Sequence, residues 1–134
     1  MSKILIVSPA FNEEAVIEDF LETFLKIRAL RQSEDDLRVL VVNDGSKDST
    51  LDKLKAWSSR YPDMVYYISF FSNFGHQSAL MAGLEYGSRW ADAIITMDCD
   101  LEHPLELVPE LIDTWKSTGS LIVNTKRRSS TELP

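Results

Sequence analysis

Ile94-Ile95-Thr96-Met97-Asp98-Cys99-Asp100-Leu101-Glu102 is the stretch that sets the fold class. Residues 93–97 form a mostly apolar run, the pattern of an interior strand in a parallel sheet. The run leads straight into two aspartates one residue apart, with Glu102 two further on. Side chains alternate in extended chain, so Asp98 and Asp100 can point the same way from the strand's end. Glu102 joins them if the chain stays extended. Three converging carboxylates repel one another unless a cation lies between them. Hard oxygen ligands suit Mg²⁺ or Mn²⁺, and such a metal is usually shared with substrate phosphates. Solvated loop acids or helix caps are the plain alternative, and Asp-x-Asp alone does not decide between them. The apolar lead-in and the third acid in phase favour a metal, with Asp100 as its strongest ligand. Asp98 serves either the metal, a ribose or a metal-bound water. Cys99 points to the other side and reads as small core, since no base accompanies it.

Outward from this strand, the chain alternates strand and helix. Lys3–Val7 reads as a first strand ending at Ser8-Pro9. Glu13–Leu30 reads as a helix, with Val16, Phe20, Phe24 and Ile27 at helical spacing. Leu37–Val42 is a second strand, followed by a helix from about Ser46 or Asp48, its capping residue, to Arg60. Val65–Phe70 is a third strand. Gly75–Arg89 is a helix whose Ala79, Ala82, Gly83 and Gly87 allow close approach to the sheet. After the strand Ala93–Met97 and a loop from Leu101 to Val108, Pro109 opens a helix that Gly119 closes. Leu121–Asn124 is a fifth strand. Alternation with short connections predicts a mainly parallel sheet covered by helices on both faces, a three-layer α/β/α arrangement.

Composition bounds the rest. The chain has 134 residues, 44% of them hydrophobic, and a net charge of −7. That is a single domain with a real core. The negative charge disfavours nucleic acid as a partner. One cysteine permits no internal disulfide and fits a reducing compartment. No apolar run approaches the roughly 20 residues that span a bilayer. Lys3 ahead of Ile4–Val7 has the start of a signal peptide, but the run is too short and Asn12-Glu13-Glu14 follows at once. A cytoplasmic location is expected.

Ligands of such sheets bind beyond the carboxyl ends of the strands. The unusual residues gather at those ends. Pro9-Ala10-Phe11-Asn12-Glu13-Glu14 ends the first strand, where Phe11 either packs on a base or fills the loop, and the acids suit a helix N-terminus. Asn43-Asp44-Gly45-Ser46 ends the second. It is a natural tight turn, in which Asp44 has a carboxylate to spare for a base N–H. Asn73-Phe74-Gly75-His76-Gln77 opens the third helix, whose free amides can hold an anion beside His76. His103 lies next to Glu102 and is read as an acceptor-side or supporting group. Lys126, Arg127 and Arg128 are either a solvated basic tail or a clamp on a diphosphate.

Taken together these segments resemble the family 2 glycosyltransferases of GT-A fold, and within them the polyprenyl-phosphate branch. The resemblance rests on Ser8–Glu14, Val41–Thr50, Asn73–Gly83, Met97–Glu102 and Pro109–Ile112, in family order over nearly the whole chain. It implies a Rossmann-like nucleotide-diphospho-sugar transferase fold over residues 1–134, cut short at the carboxyl end. It implies a UDP- or GDP-linked sugar donor, its nucleoside held by Pro9, Phe11, Glu13 and Asp44. It implies Mg²⁺ or Mn²⁺ at Asp98, Asp100 and Glu102, with Arg127 steadying the diphosphate. The acceptor would be a lipid phosphate, reached by the longer protein at the cytoplasmic membrane face. Homo-oligomerisation is left open. Ser72 stands where the family often has arginine, Leu105 where it has a second proline, and Glu102 where glutamine is frequent. A transferase of the same fold acting on a polysaccharide or small acceptor is one rival, and a non-catalytic nucleotide-binding fragment another. A phosphoacceptor signalling domain would want an acidic pair after the first strand, where Ser8-Pro9-Ala10-Phe11 stands.

Overall fold

Central strands that are apolar on both faces must be covered on both sides, and among the described residues four helices do this. The computed structural model describes residues 1–100, 105–119 and 122–124. In chain order the elements are β1 (Ser2–Ala10), α1 (Ile17–Arg31), β2 (Asp35–Asn43), α2 (Thr50–Arg60), β3 (Val65–Ser69), α3 (His76–Gly87), β4 (Ala93–Thr96), a 3₁₀ turn (Leu105–Leu107), α4 (Val108–Thr118) and β5 (Ile122–Asn124). The strands form one parallel sheet in the order β3-β2-β1-β4-β5. β1 lies at its centre, paired with β2 from Ser2–Asp35 to Ala10–Asn43 and with β4 from Ile4–Ala93 to Val7–Thr96.

Alternate residues of each strand feed two cores, as the pleat requires. Ile4, Ile6, Leu37, Val39, Val41 and Ile95 meet Phe20, Leu21 and Phe24 of α1, Leu54 of α2 and Ile112 of α4. Leu5, Val7, Leu40, Val42 and Ile94 turn to the opposite face, where α3 presents Ala79 and Leu84. The small residues of α3 have the expected effect. A Cβ on Gly83 would stand 2.3 Å from Val7 Cγ1, and one on Gly87 2.6 Å from Leu5 Cδ2. At the amino edge of the sheet, Arg31 of α1 donates to Asp35 at 2.8 and 3.1 Å and to Asp113 of α4 at 3.2 Å. Lys116 Nζ stands 2.8 Å from the second oxygen of Asp35, which is fully buried. This cluster ties α1, β2 and α4 together far from the strands' carboxyl ends.

Several element ends differ from the sequence reading for definite reasons. β1 continues through Pro9 to Ala10. Lys3 O accepts from Asp92 N and Val7 O from Met97 N, so odd-numbered residues of β1 turn their polar groups toward β4. Pro9 is next in that series, past the last β1–β4 pair at Thr96, so its missing N–H removes no ladder bond. α1 starts at Ile17, not Glu13, because residues 12–14 give their amides to the neighbouring loop. α4 begins one residue before Pro109, and left-handed Gly119 closes it by donating its N–H to Trp115 O at 2.7 Å. Among the described residues, no helix is long and apolar enough to cross a membrane.

Candidate functional site

Four connections leave the sheet at the carboxyl ends of β1 to β4, and their residues line one cavity of about 440 Å³. β1 and its loop supply Pro9, Ala10, Phe11 and Glu13. Asp44 follows β2, and Asn73, Gly75 and His76 come from the start of α3. Asp98, Cys99 and Asp100 follow β4. Of the residues expected at the site, Pro9, Phe11, Glu13, Asp44, Asp98 and Asp100 are therefore brought together. Glu102, His103 and Lys126 to Arg128, Arg127 among them, lie outside the described residues.

Asp44 is almost fully buried, and its carboxylate accepts from Phe74 N at 2.7 Å and Gly75 N at 3.0 Å. It thus joins the β2 turn to the start of α3, a role that sequence reasoning missed. Each oxygen keeps a second lone pair. The turn needs glycine at position 45: its φ is +69°, and a Cβ there would stand 2.3 Å from Ser72 C. His76 is the first residue of α3 and is exposed on the cavity wall. Phe11 is 42% exposed at the cavity rim, free to meet a ligand rather than filling the core.

Glu13, Asp98 and Asp100 line the same cavity. Partial burial pushes the Glu13 carboxyl above its ordinary range, and Asp100, Asp98 and Asp48 push it further. Cys99 joins the core, as expected. Burial, with the charge of Glu13 added, raises its thiol to about 12, so it is no nucleophile.

The β1–α1 loop is fastened to the β2–α2 loop by bonds that the sequence reading did not foresee. Asn12 N donates to Ser46 Oγ at 2.9 Å, Glu13 N to Thr50 Oγ1 at 2.9 Å and Glu14 N to Asp48 Oδ2 at 3.3 Å. In return Lys47 N donates to Asn12 Oδ1 at 2.8 Å, and Ser49 gives both its amide and its hydroxyl to the Glu14 carboxylate. Ser49, rather than Ser46 or Asp48, stands at the N-cap position of α2; Asp48 accepts at 2.9 Å from the amide of Thr50, the first residue of the helix, and Ser46 accepts from Asn12 N. Against the desolvation that would raise it, bonds from Thr50 and Glu14 hold the Asp48 carboxyl below the usual range. The available signal was the density of short oxygen-bearing side chains in Ser46-Lys47-Asp48-Ser49-Thr50, more than one helix cap can use.

A divalent cation fits this site by donor type, since Glu13, Asp98 and Asp100 are all hard oxygen ligands. Among the described residues no three acidic, histidine or cysteine side chains converge as a finished metal cage. The set of three expected at the end of β4 includes Glu102, so only two of its members can be placed.

Known proteins share the family and the fold of this chain. The chain is 37% identical over 130 residues to a bactoprenol glucosyl transferase of Shigella phage SfV, covering 97% of this chain and 41% of that protein. It is 33% identical over 129 residues to an undecaprenyl-phosphate 4-deoxy-4-formamido-L-arabinose transferase of Proteus mirabilis, covering 96% of this chain and 38% of the other. It therefore spans about two fifths of the length of these curated relatives. Among solved structures, the mannosyltransferase PcManGT of Pyrobaculum calidifontis, in complex with GDP-Man and Mn²⁺, superposes with a TM-score of 0.63 at 23% identity, over 74% of this chain and 28% of that one. TarS of S. aureus, in complex with UDP, gives a TM-score of 0.60 at 21% identity over 87% and 33%. Both likenesses establish the GT-A fold. The model of "Glycosyl transferase family 2" matches residues 5–133, and on that span the chain belongs to this family.

Proposed function

We propose that this chain is the donor-binding domain of an inverting glycosyltransferase that moves a sugar from a UDP- or GDP-linked donor to a polyprenyl phosphate at the cytoplasmic face of a membrane. The observation that carries the reading is that six residues from three separate loops, chosen for their chemistry, line one cavity at the sheet's carboxyl edge. Its volume falls within the range of small-molecule sites. The names of the relatives, bactoprenol and undecaprenyl-phosphate transferases, support the choice of acceptor. The GDP-Man, Mn²⁺ and UDP held by the two solved structures support the choice of donor and metal.

In this reading Pro9, Phe11 and Glu13 surround the nucleoside, with Phe11 against the base. Asp44 offers its remaining lone pairs to a base N–H while its other bonds keep it fixed. Asp98 and Asp100, together with Glu102, hold Mg²⁺ or Mn²⁺. Bound there, the ion would neutralise charge that grows on the departing diphosphate. Arg127 is assigned to the same diphosphate on the family resemblance alone. A lipid phosphate is already anionic at neutral pH, so the chain needs no strong general base. Direct displacement by it inverts the anomeric centre.

Calorimetric titration of the chain with UDP and GDP, with and without Mn²⁺, tests the reading. One of the two is expected to bind in a Mn²⁺-dependent manner. Asp100→Ala should abolish that dependence while the circular dichroism spectrum stays unchanged. Undiminished binding by this variant would count heavily against the site.

A further inference from the structure

Three consecutive amides, those of Asn12, Glu13 and Glu14, lie outside any helix or strand, and all three find side-chain oxygens within one segment, Ser46–Thr50. The middle bond is the most protected. Thr50 is fully buried, accepts from Glu13 N at 2.9 Å, and donates its own hydroxyl proton to Asp48 Oδ1 at 2.6 Å. Asp48 in turn takes Thr50 N and Glu14 N. Thr50 is also the first residue of α2, so the clamp is built on a packed helix rather than a free loop.

Glu13 and Phe11, on either side of Asn12, line the cavity together with Asp98 and Asp100. Asn12, with φ of +53°, already turns the chain sharply between Phe11 and Glu13. Release of the Glu13 amide would let both side chains leave the cavity wall together.

We propose that Thr50, backed by Asp48, is a positioning residue that holds Glu13 and Phe11 in the donor cavity through the Glu13 amide. This rests on the glycosyltransferase reading of the cavity. Thr50 does not line the cavity, so it acts through its bond to the Glu13 backbone.

The test compares Thr50→Val, which keeps the shape and loses the hydroxyl, with Thr50→Ser, which keeps the hydroxyl. Each is made in the wild-type and in the Glu13→Gln background. Two quantities are read: exchange of the Glu13 amide by NMR, and affinity for UDP and GDP with Mn²⁺ by calorimetry. Thr50→Val should speed Glu13 exchange and weaken nucleotide binding about tenfold, and Thr50→Ser should restore both. With Glu13→Gln the carboxylate that the clamp positions is already lost, so Thr50→Val should then weaken binding by less than about threefold. Equal losses in both backgrounds would mark Thr50 as merely structural and overturn the proposal. An unchanged Glu13 amide in Thr50→Val would overturn the clamp itself. If the wild-type chain binds neither nucleotide while the amide responds as expected, the proposed function fails and the positioning role falls with it. Should Thr50→Val not fold, Asp48→Asn, which weakens the support behind the hydroxyl, carries the same comparison.

Discussion

Replacing Gly83 by alanine tests how closely α3 lies on the sheet. On helix propensity alone the change stabilises by about 1 kcal/mol. Against that, the new Cβ would stand 2.3 Å from Val7 Cγ1 and 3.4 Å from Val42 Cγ2. Carbon atoms rest at about 3.5–4.0 Å, so the nearer contact is short by about 1.2–1.7 Å. Val7 and Val42 are fully buried on neighbouring central strands, and their branched side chains have little rotamer freedom. The strain must therefore be relieved by lifting α3. Overpacking of this kind costs about 1–3 kcal/mol, and so short a contact belongs at the upper end. The net loss should be about 1–2 kcal/mol, or a fall of about 3–10 °C in Tm for a domain of this size. Chemical and thermal denaturation measure it directly. Val7→Ala removes the opposing methyl groups, so Gly83→Ala placed on that background should cost markedly less than on the wild type. A Tm that rises in Gly83→Ala would show that propensity wins and that α3 does not rest against Val7.

Three further outcomes follow from individual contacts. Asp44→Ala leaves the amides of Phe74 and Gly75 without their acceptor and should destabilise by about 1–3 kcal/mol in urea denaturation, with Asp44→Asn recovering part of the loss. Asp36 is held below the usual carboxylate range, chiefly by its bond from Arg38, despite desolvation. Its contribution is thus present above the ordinary value of 3.8 and is lost as pH falls through the lower folded value. Asp36→Asn should therefore lower stability at pH 6 by less than about 1 kcal/mol and make no difference in strong acid, as paired melting curves will show. Cys99, with its thiol near 12, should resist alkylation at pH 8 in the folded chain and react promptly in denaturant; fast labelling of the native chain would place the thiol outside the core.

How much of this could be read from the residues depends on the range over which each signal acts. The period of apolar residues is local, and it located the five strands and four helices of the described residues to within a few positions. Pro9 misled only because a proline's effect depends on which neighbour its nitrogen faces, and that is decided by β4, some ninety residues away. The cavity wall was legible for a related reason. In a parallel sheet every strand's end falls on one edge, so Pro9, Asp44 and Asp98 could be grouped without knowing any distance. What the sequence did not disclose was the use made of ordinary residues. Ser46, Asp48 and Thr50 satisfy the pattern of a helix start, and nothing local shows that they also hold Asn12, Glu13 and Glu14. Asp44 suits a tight turn equally well whether its carboxylate meets a ligand or the first amides of α3. Those alternatives differ only in long-range pairing. A hydrogen-bond donor carries no mark of its partner, so residues that support a site look like capping residues until the loops are brought together. Turn-type residues in excess of what one turn can satisfy are the one local sign of such support, and Ser46–Thr50 carries it.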